Sequence, residues 1–441
     1  MQSIIIKDFG PIPYCSMETK DFTILIGQQA TGKSTICKSV YFFKTVRDEI
    51  ISYLYSLLGD DSDKLNDPVK AIGQKMKYNF INIFGQTKFK REFYIRYNYS
   101  EDLFIEASIT KDENKYLNFE FSEVLRSKIS DLKYFVENNF QDIKYSSVQE
   151  DLYVRIEKNK AFIYINNEVK KLFDDDREIF YIPAGRGLLS LLTDHLLTID
   201  IKLLDYISGN FMKYIQEQRV SFDLWIHELK QQIQMDNDKF KIENEKTEKV
   251  AEYVDDILKG HYIYKNGKEY LKLKNGSSFP VNFASSGQQE VLWILNLLYI
   301  WMTKFDKNYF VVIEEPEAHL FPDTQKKVLD FIVMFLNSNN NQVMITTHSP
   351  YILTSANNLL YAGKLSVKTE EVKDIIPKRQ WIDFSSFGAY MVGDSKKNHL
   401  RTIIDEELQE IKAEEIDKIS KVIGCEYAML FNLEAQNEFI D

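Results

Sequence analysis

Cysteine is scarce: the chain of 441 residues has three, Cys15, Cys37 and Cys425. An odd count without metal-ligand spacing excludes a disulfide framework and a zinc site of the usual spacing, and it fits a reducing cytoplasm. Cys425 has no base in a recognisable motif and reads as core. Long apolar runs are missing too. The longest, Val291 to Met302, contains Asn296 and falls short of the roughly 20 residues that span a bilayer. It reads as a buried helix, and no membrane association is expected. The N-terminus has no basic segment followed by a long apolar core, so it does not read as a signal peptide. Repeats and low-complexity tracts are absent. There is no excess of positive charge, with 55 Lys and Arg against 66 Asp and Glu and a net charge of −11. That gives no general attraction to nucleic acid or anionic lipid, though a local basic groove stays open. Aromatics are plentiful at 14%, which argues against long disordered segments.

The signals of a parallel sheet lie at the two ends of the chain. Residues 2–10 and 22–27 read as strands with a turn at Gly10-Pro11, followed by a helix from about Gly32. Residues 90–122 alternate apolar and polar side chains and read as an antiparallel meander, with a helix at 122–138 after it. "EIFYIPAGR" is an apolar strand that rejoins the core and exits at Pro183 and Gly185. Residues 195–260 read as mostly helical, and Asn266-Gly267 and Asn275-Gly276 mark a hairpin over 261–281. Further on, "YFVVIEE" and "QVMITTH" are apolar strands separated by a helix, the pattern of a sheet covered on both faces. The expected division is a core from 1–45 and 282–365, a β-rich and helical insertion at 46–177, and a mainly helical insertion at 195–281. The remainder, 366–441, is a candidate partner-binding segment with an acidic helix at 402–418.

"ILIGQQATGKST" follows an apolar strand and opens a helix, the context a phosphate loop requires. Backbone N–H groups of Gly27, Gln28, Gln29, Ala30, Thr31 and Gly32 would curl around phosphates, aided by the helix N-terminus. Lys33 would reach the β- and γ-phosphates of ATP, Ser34 would ligate Mg²⁺, and Thr35 is placed for an α-phosphate oxygen. The strand "NYFVVIEE" ends in adjacent carboxylates at the sheet edge where α/β folds bind ligands. Glu314 would hold the metal through water, and Glu315 would orient or deprotonate the attacking water. His348 ends another strand and is placed to bond the γ-phosphate or that water. Arg186 senses the γ-phosphate, couples the insertions to the site, or braces a turn. "NFASSGQQE", directly before the apolar helix, carries more small polar residues than a cap needs.

Taken in order, these motifs resemble the ABC-type ATPase superfamily, and "SSGQQE" resembles its signature motif. Ser286 and Gly287 match, while Gln288 stands where a second glycine is usual. "EEPEAHLFP" and "TTHSPYIL" are similar to the stand-alone ATPases related to the OLD family and to Septu-, retron- and PARIS-type phage defence. The N-terminal stretch also looks like RecF. The resemblance implies an α/β ABC-type head with a mixed sheet, and a head-to-tail homodimer or higher homo-oligomer. In such a dimer Ser286, Gly287 and Gln288 would bind the partner's ATP. The D-loop-like stretch is Ala318-His319-Leu320, with Phe321 where Asp is usual. No Glu plus Asp-x-Asp set of a Toprim nuclease is seen, so a separate effector, a nuclease or toxin, is expected. The alternative is a RecF-like DNA-binding repair clamp, which keeps nucleic acid open as a partner.

Three weaker patterns read as incidental. Asp174-Asp175-Asp176 is taken as a solvated turn rather than a metal site. Thr303-Lys304-Phe305-Asp306 mimics a guanine-specificity motif in the wrong place. Lys88, Lys90 and Arg91 form a small basic edge.

Overall fold

The computed structural model describes residues 2–59, 67–86, 92–109, 116–140, 152–192, 204–233, 249–304, 307–393, 399–412 and 424–430. Lys88, Lys90, Arg91 and Asp306 lie outside them.

Strand β1 is Ser3–Phe9, β2 Ile12–Glu18, β3 Phe22–Ile26, β4 Tyr94–Asn98, β5 Phe104–Ile109 and β6 Leu117–Phe121. Then come β7 Glu178–Ile182, β8 His261–Lys265, β9 Lys268–Lys272, β10 Ser278–Pro280, β11 Tyr309–Glu314, β12 Gln342–Thr347, β13 Phe387–Val392 and β14 Leu400–Thr402. The central sheet has the order β14-β13-β3-β12-β11-β7. Its strands run parallel except β14, which pairs antiparallel with β13. The fold is therefore α/β with a mixed sheet.

Side chains of these strands alternate between two cores, as the two-residue period of a strand dictates. Phe22, Ile24, Val311, Ile313, Val343 and Ile345 enter one core, against the helices Ser286–Lys304, Pro322–Leu336 and Pro350–Leu365. Leu25, Phe310, Val312 and Met344 enter the other, against the helix Lys33–Ser56. Both faces are covered, which explains why β3, β11 and β12 are buried along their whole length.

A second sheet, β2-β1-β4-β5-β6, joins the N-terminal hairpin to the 90–122 meander through the pairing of β1 with β4. The Gly10-Pro11 turn thus leads into β2, a strand the sequence reading passed over, rather than into the central strand. The third sheet, β10-β9-β8, is the expected hairpin plus one short strand. The C-terminal stretch belongs to the core: β13 lies beside β3. The acidic helix expected at 402–418 is not formed over its described part. Ile404 and Ile411 pair as short strands instead. Asp405 Oδ1 accepts from the N–H groups of Glu407 and Leu408 at 3.0 and 2.9 Å, making an Asp-nucleated turn of what looked like helix. Cys425 is exposed, not core. No helix among the described residues is long and apolar enough to cross a membrane.

Candidate active site at the edge of the parallel sheet

Register fixes where the site must be. Ile26 pairs with Thr347, Thr346 with Glu314, and Ile313 with Ile182. Four neighbouring parallel strands therefore end together, and the segments leaving them meet at one edge.

The loop leaving β3 is shaped by close approach. A Cβ on Gly27 would lie 2.2 Å from the Val392 carbonyl oxygen, and one on Gly32 (φ 102°) would lie 2.8 Å from Ile12. No larger residue fits either place. Ala30 is left-handed at φ 60°. Thr31 Oγ1 donates to the Gln28 carbonyl at 2.9 Å. Lys33 is buried, and its ammonium donates to the carbonyls of Gly27 and Gln28 at 2.8 and 2.9 Å. Burial lowers the Lys33 pKa, while Glu315, Glu317 and Glu314 work against that. Gln28, Gln29, Ala30 and Ser34 are exposed and Thr35 is half-buried. The loop is thus a cationic concavity open on its outer rim, with the unpaired N–H groups of the first helical turn behind it.

Its other side is covered by the C-terminal segment, which sequence reasoning did not connect to the loop. A Cβ on Gly393 would meet Thr31 Cγ2 at 2.4 Å. His399 Nε2 donates to the Thr31 carbonyl at 2.7 Å. The lone His399 carried no motif that would have revealed this. We expect His399→Ala to weaken ATP binding by roughly 3- to 10-fold, the worth of one such hydrogen bond. His399→Gln, whose Nε2 can donate in the same place, should bind as wild type. Titration of a fluorescent ATP analogue reads both.

At the end of β11, Glu314 is held rigidly. Tyr181 donates to Oε1 at 2.8 Å and the Ala184 N–H to Oε2 at 3.1 Å. Burial, then the Glu314 charge, pushes the Tyr181 phenol well above its ordinary range. Glu315 is left-handed at φ 42°, an uncommon state for a side chain of this size. Its N–H donates to Thr346 O at 3.0 Å, and its Oε1 lies 3.1 Å from His348 Nε2. The two candidate catalytic groups are therefore one hydrogen-bonded pair. Glu317, which the sequence reading left without a role, supports them. Its Oε1 accepts from Thr347 Oγ1 at 2.6 Å and from the His348 N–H at 2.8 Å. Its Oε2 is buried without a hydrogen-bond partner among the described residues. The signal was present as the third carboxylate of "EEPE".

Arg186 is fully buried. Its guanidinium donates to the carbonyls of Glu290 at 2.8 Å, Pro183 at 3.0 Å, Glu314 at 2.7 Å and Glu315 at 2.9 Å. None of these partners lies in an insertion; the bonds join the turn at Pro183 to the start of the helix Ser286–Lys304 and to the end of β11.

The polar stretch before the apolar helix divides its labour. Ser285 Oγ accepts from the Gln288 N–H at 3.3 Å as a helix cap. Gln288 Oε1 accepts from the Ser285 N–H at 3.0 Å, and its Nε2 donates to Leu258 O at 2.7 Å. Gln289 donates to Ala284 O at 3.1 Å. Both glutamines thus turn inward, while Ser286 stays exposed on the first turn. Gly287 lets the helix sit on the turn after β11, since a Cβ there would be 2.7 Å from His319 O.

The donors present fit Mg²⁺, which takes oxygen ligands and keeps several waters. Ser34 offers an exposed hydroxyl. Glu314 keeps free lone pairs on both bonded oxygens, suited to a bridging water. Among the described residues no group of three or more His, Cys, Asp or Glu side chains could hold a metal by itself. The aspartate run is not a solvated turn at its centre. Asp175 is half-buried, with its carboxylate 2.9 Å from the Lys44 ammonium.

The sequence order of these pieces, and their meeting at one sheet edge, are those of an ABC-type P-loop ATPase. The AAA ATPase domain family matches residues 1–353, and the chain belongs to it. A curated relative is the lipoprotein-releasing system ATP-binding protein LolD of Neorickettsia sennetsu, 29% identical over 92 residues. That match covers 21% of this chain and 38% of the relative's length. Among solved structures, the Smc head domain with an extended coiled coil bound to the C-terminal domain of ScpA, from Pyrococcus furiosus, is 16% identical. It matches over 81% of this chain and 92% of that chain, with a TM-score of 0.33. The SMC head domain from Thermotoga maritima is 12% identical over 80% of this chain and 90% of that one, with a TM-score of 0.34.

Proposed function

We propose that this chain hydrolyses ATP in a head-to-tail homodimer and uses that cycle to control a separate effector, a nuclease or toxin in phage defence. The observation carrying the dimer is the division of the polar stretch: Gln288 and Gln289 are committed inward, and Ser286 is left exposed on a helix start.

In this reading Lys33 leaves its two carbonyl partners for the β- and γ-phosphates. Ser34 and, through water, Glu314 would hold Mg²⁺, which would supply positive charge at the phosphates. Glu315 takes a proton from the attacking water as its oxygen bonds the γ-phosphorus and the bridging P–O bond breaks, giving ADP and phosphate. His348 holds the Glu315 carboxylate and lies beside the transferred group. The partner's Ser286 and Gly287 complete the γ-phosphate site.

Lys33→Ala and Ser286→Arg should each be inactive alone. Mixed, they should recover part of the turnover, because one composite site then has both halves intact. No recovery would contradict a shared site with independent halves. The effector is tested by isolating the chain from its native host. A co-purifying nuclease or toxin is expected, whereas ATP- and salt-dependent DNA binding by the chain alone would favour the RecF-like clamp.

A further inference from the structure

We propose that Arg186 is a positioning residue that ties the signature helix to the backbone of Glu315, so that seating of that helix on a partner's nucleotide sets the aim of the catalytic carboxylate. The inference rests on the reading of Glu315 as the group that activates water.

The fork of Arg186 spans two functional segments. Nε bonds the Glu290 carbonyl, on the second turn of the helix that begins at Ser286. Nη1 and Nη2 bond the carbonyls of Glu314 and Glu315. A buried cation needs partners for its donors. Here the nearest carboxylate oxygen belongs to Glu290 at 3.8 Å. The charge is instead spread over carbonyl dipoles from three segments.

What the fork holds at its far end is strained. Glu315 is left-handed, a state that persists in such a residue only when its surroundings impose it. Several bonds impose it: Arg186 and the Ala318 N–H donate to its carbonyl, and its own N–H donates to Thr346. One of them runs to the signature helix through a rigid planar group. Slack in that connection is small, because a Cβ on Gly187 would lie 3.1 Å from Glu290 Oε1 and 3.3 Å from Gln289 Cβ. A shift of the helix start therefore moves Glu290, Arg186 and the Glu315 peptide together. Lysine cannot substitute, since one ammonium lacks the fixed fork that reaches both segments.

The test compares Arg186→Lys and Gly187→Ala with wild type and Glu315→Gln. It reads kcat and KM for ATP, affinity for a fluorescent ATP analogue, ATP-dependent dimerisation by light scattering, and Tm. The alanine wedges the contact without removing a charge, so it stays informative if the lysine variant does not fold. In Gly187→Ala we expect near wild-type Tm, nucleotide affinity and dimerisation, with kcat lower by roughly 10- to 100-fold, the usual cost of a misplaced catalytic group. Folded Arg186→Lys should fall at least as far. Unchanged kcat in Gly187→Ala, or affinity and dimerisation that fall in parallel with kcat, would overturn the coupling role. Wild-type turnover in Glu315→Gln would instead sink the reading of Glu315, and the coupling role with it.

Discussion

Glu315→Gln should bind ATP as tightly as wild type, hydrolyse it on the order of 10² to 10⁴ times more slowly, and accumulate as an ATP-bound dimer. The size of the effect follows from what the substitution keeps. Glutamine has the shape of glutamate, and its Oε1 can accept from His348 Nε2 as the carboxylate does at 3.1 Å. The left-handed backbone at φ 42° is held by main-chain bonds that an amide side chain does not touch. Only basicity is lost, and with it the acceptor for the proton of the attacking water. Phosphate release gives the rate and light scattering gives the dimer. Turnover equal to wild type would transfer the role to another group, with His348 the first to test by substitution.

What could be read from sequence was what is local or repeated in strand ends. The phosphate loop is contiguous, and its glycines, lysine and serine carry their chemistry in their order. Glu314, Glu315 and His348 were legible because apolar parallel strands end at a common edge, so a polar residue at each end implies neighbours. Arg186 was visible as a residue but not as a link, because, beyond Pro183 in its own turn, its partners lie more than 100 residues along the chain, at Glu290, Glu314 and Glu315. His399 and Gly393 were invisible for the same reason: nothing near them says that β13 will lie beside β3. The acidic stretch at 405–407 misled because aspartate that starts a turn and acid on a helix face look alike in a charge pattern. The partners of Gln288 and Gln289 could not be read from sequence either: Gln288 reaches Leu258 O, thirty residues back, and Gln289 the carbonyls of the turn before its own helix.

Asp175 carries the other large expected effect, on stability. Its carboxylate joins elements the chain brings from afar. Lys44, on the helix that follows the phosphate loop, donates to it at 2.9 Å and to Gln2 Oε1 at 2.7 Å. Tyr97 of the meander donates to the same Gln2 oxygen at 2.8 Å. Arg47 donates to the carbonyls of Asp175 and Arg177 at 2.9 and 2.7 Å. The insertion is thereby fastened to the helix that carries Lys33. Burial by itself would raise the Asp175 carboxyl, but the Lys44 ammonium, then Arg177, outweigh it and hold the pKa at about 2 instead of the ordinary 3.8. A lowered carboxyl pKa contributes stability that is fully present above its unfolded value and is lost as pH falls through the folded one. The window is therefore from about pH 4 down to about pH 2, and the contribution is about 2 kcal/mol. Burial also lowers the Lys44 pKa, which offsets part of that gain at neutral pH. Removing one partner is more costly than the pair is worth, because the other charge stays buried. Asp175→Ala is expected to lose about 3–5 kcal/mol at pH 7, read as the shift in urea midpoint. Lys44→Met combined with Asp175→Ala should recover much of it, since no unpaired charge remains. If the double variant instead loses the sum of the two single losses, the residues do not act as a pair.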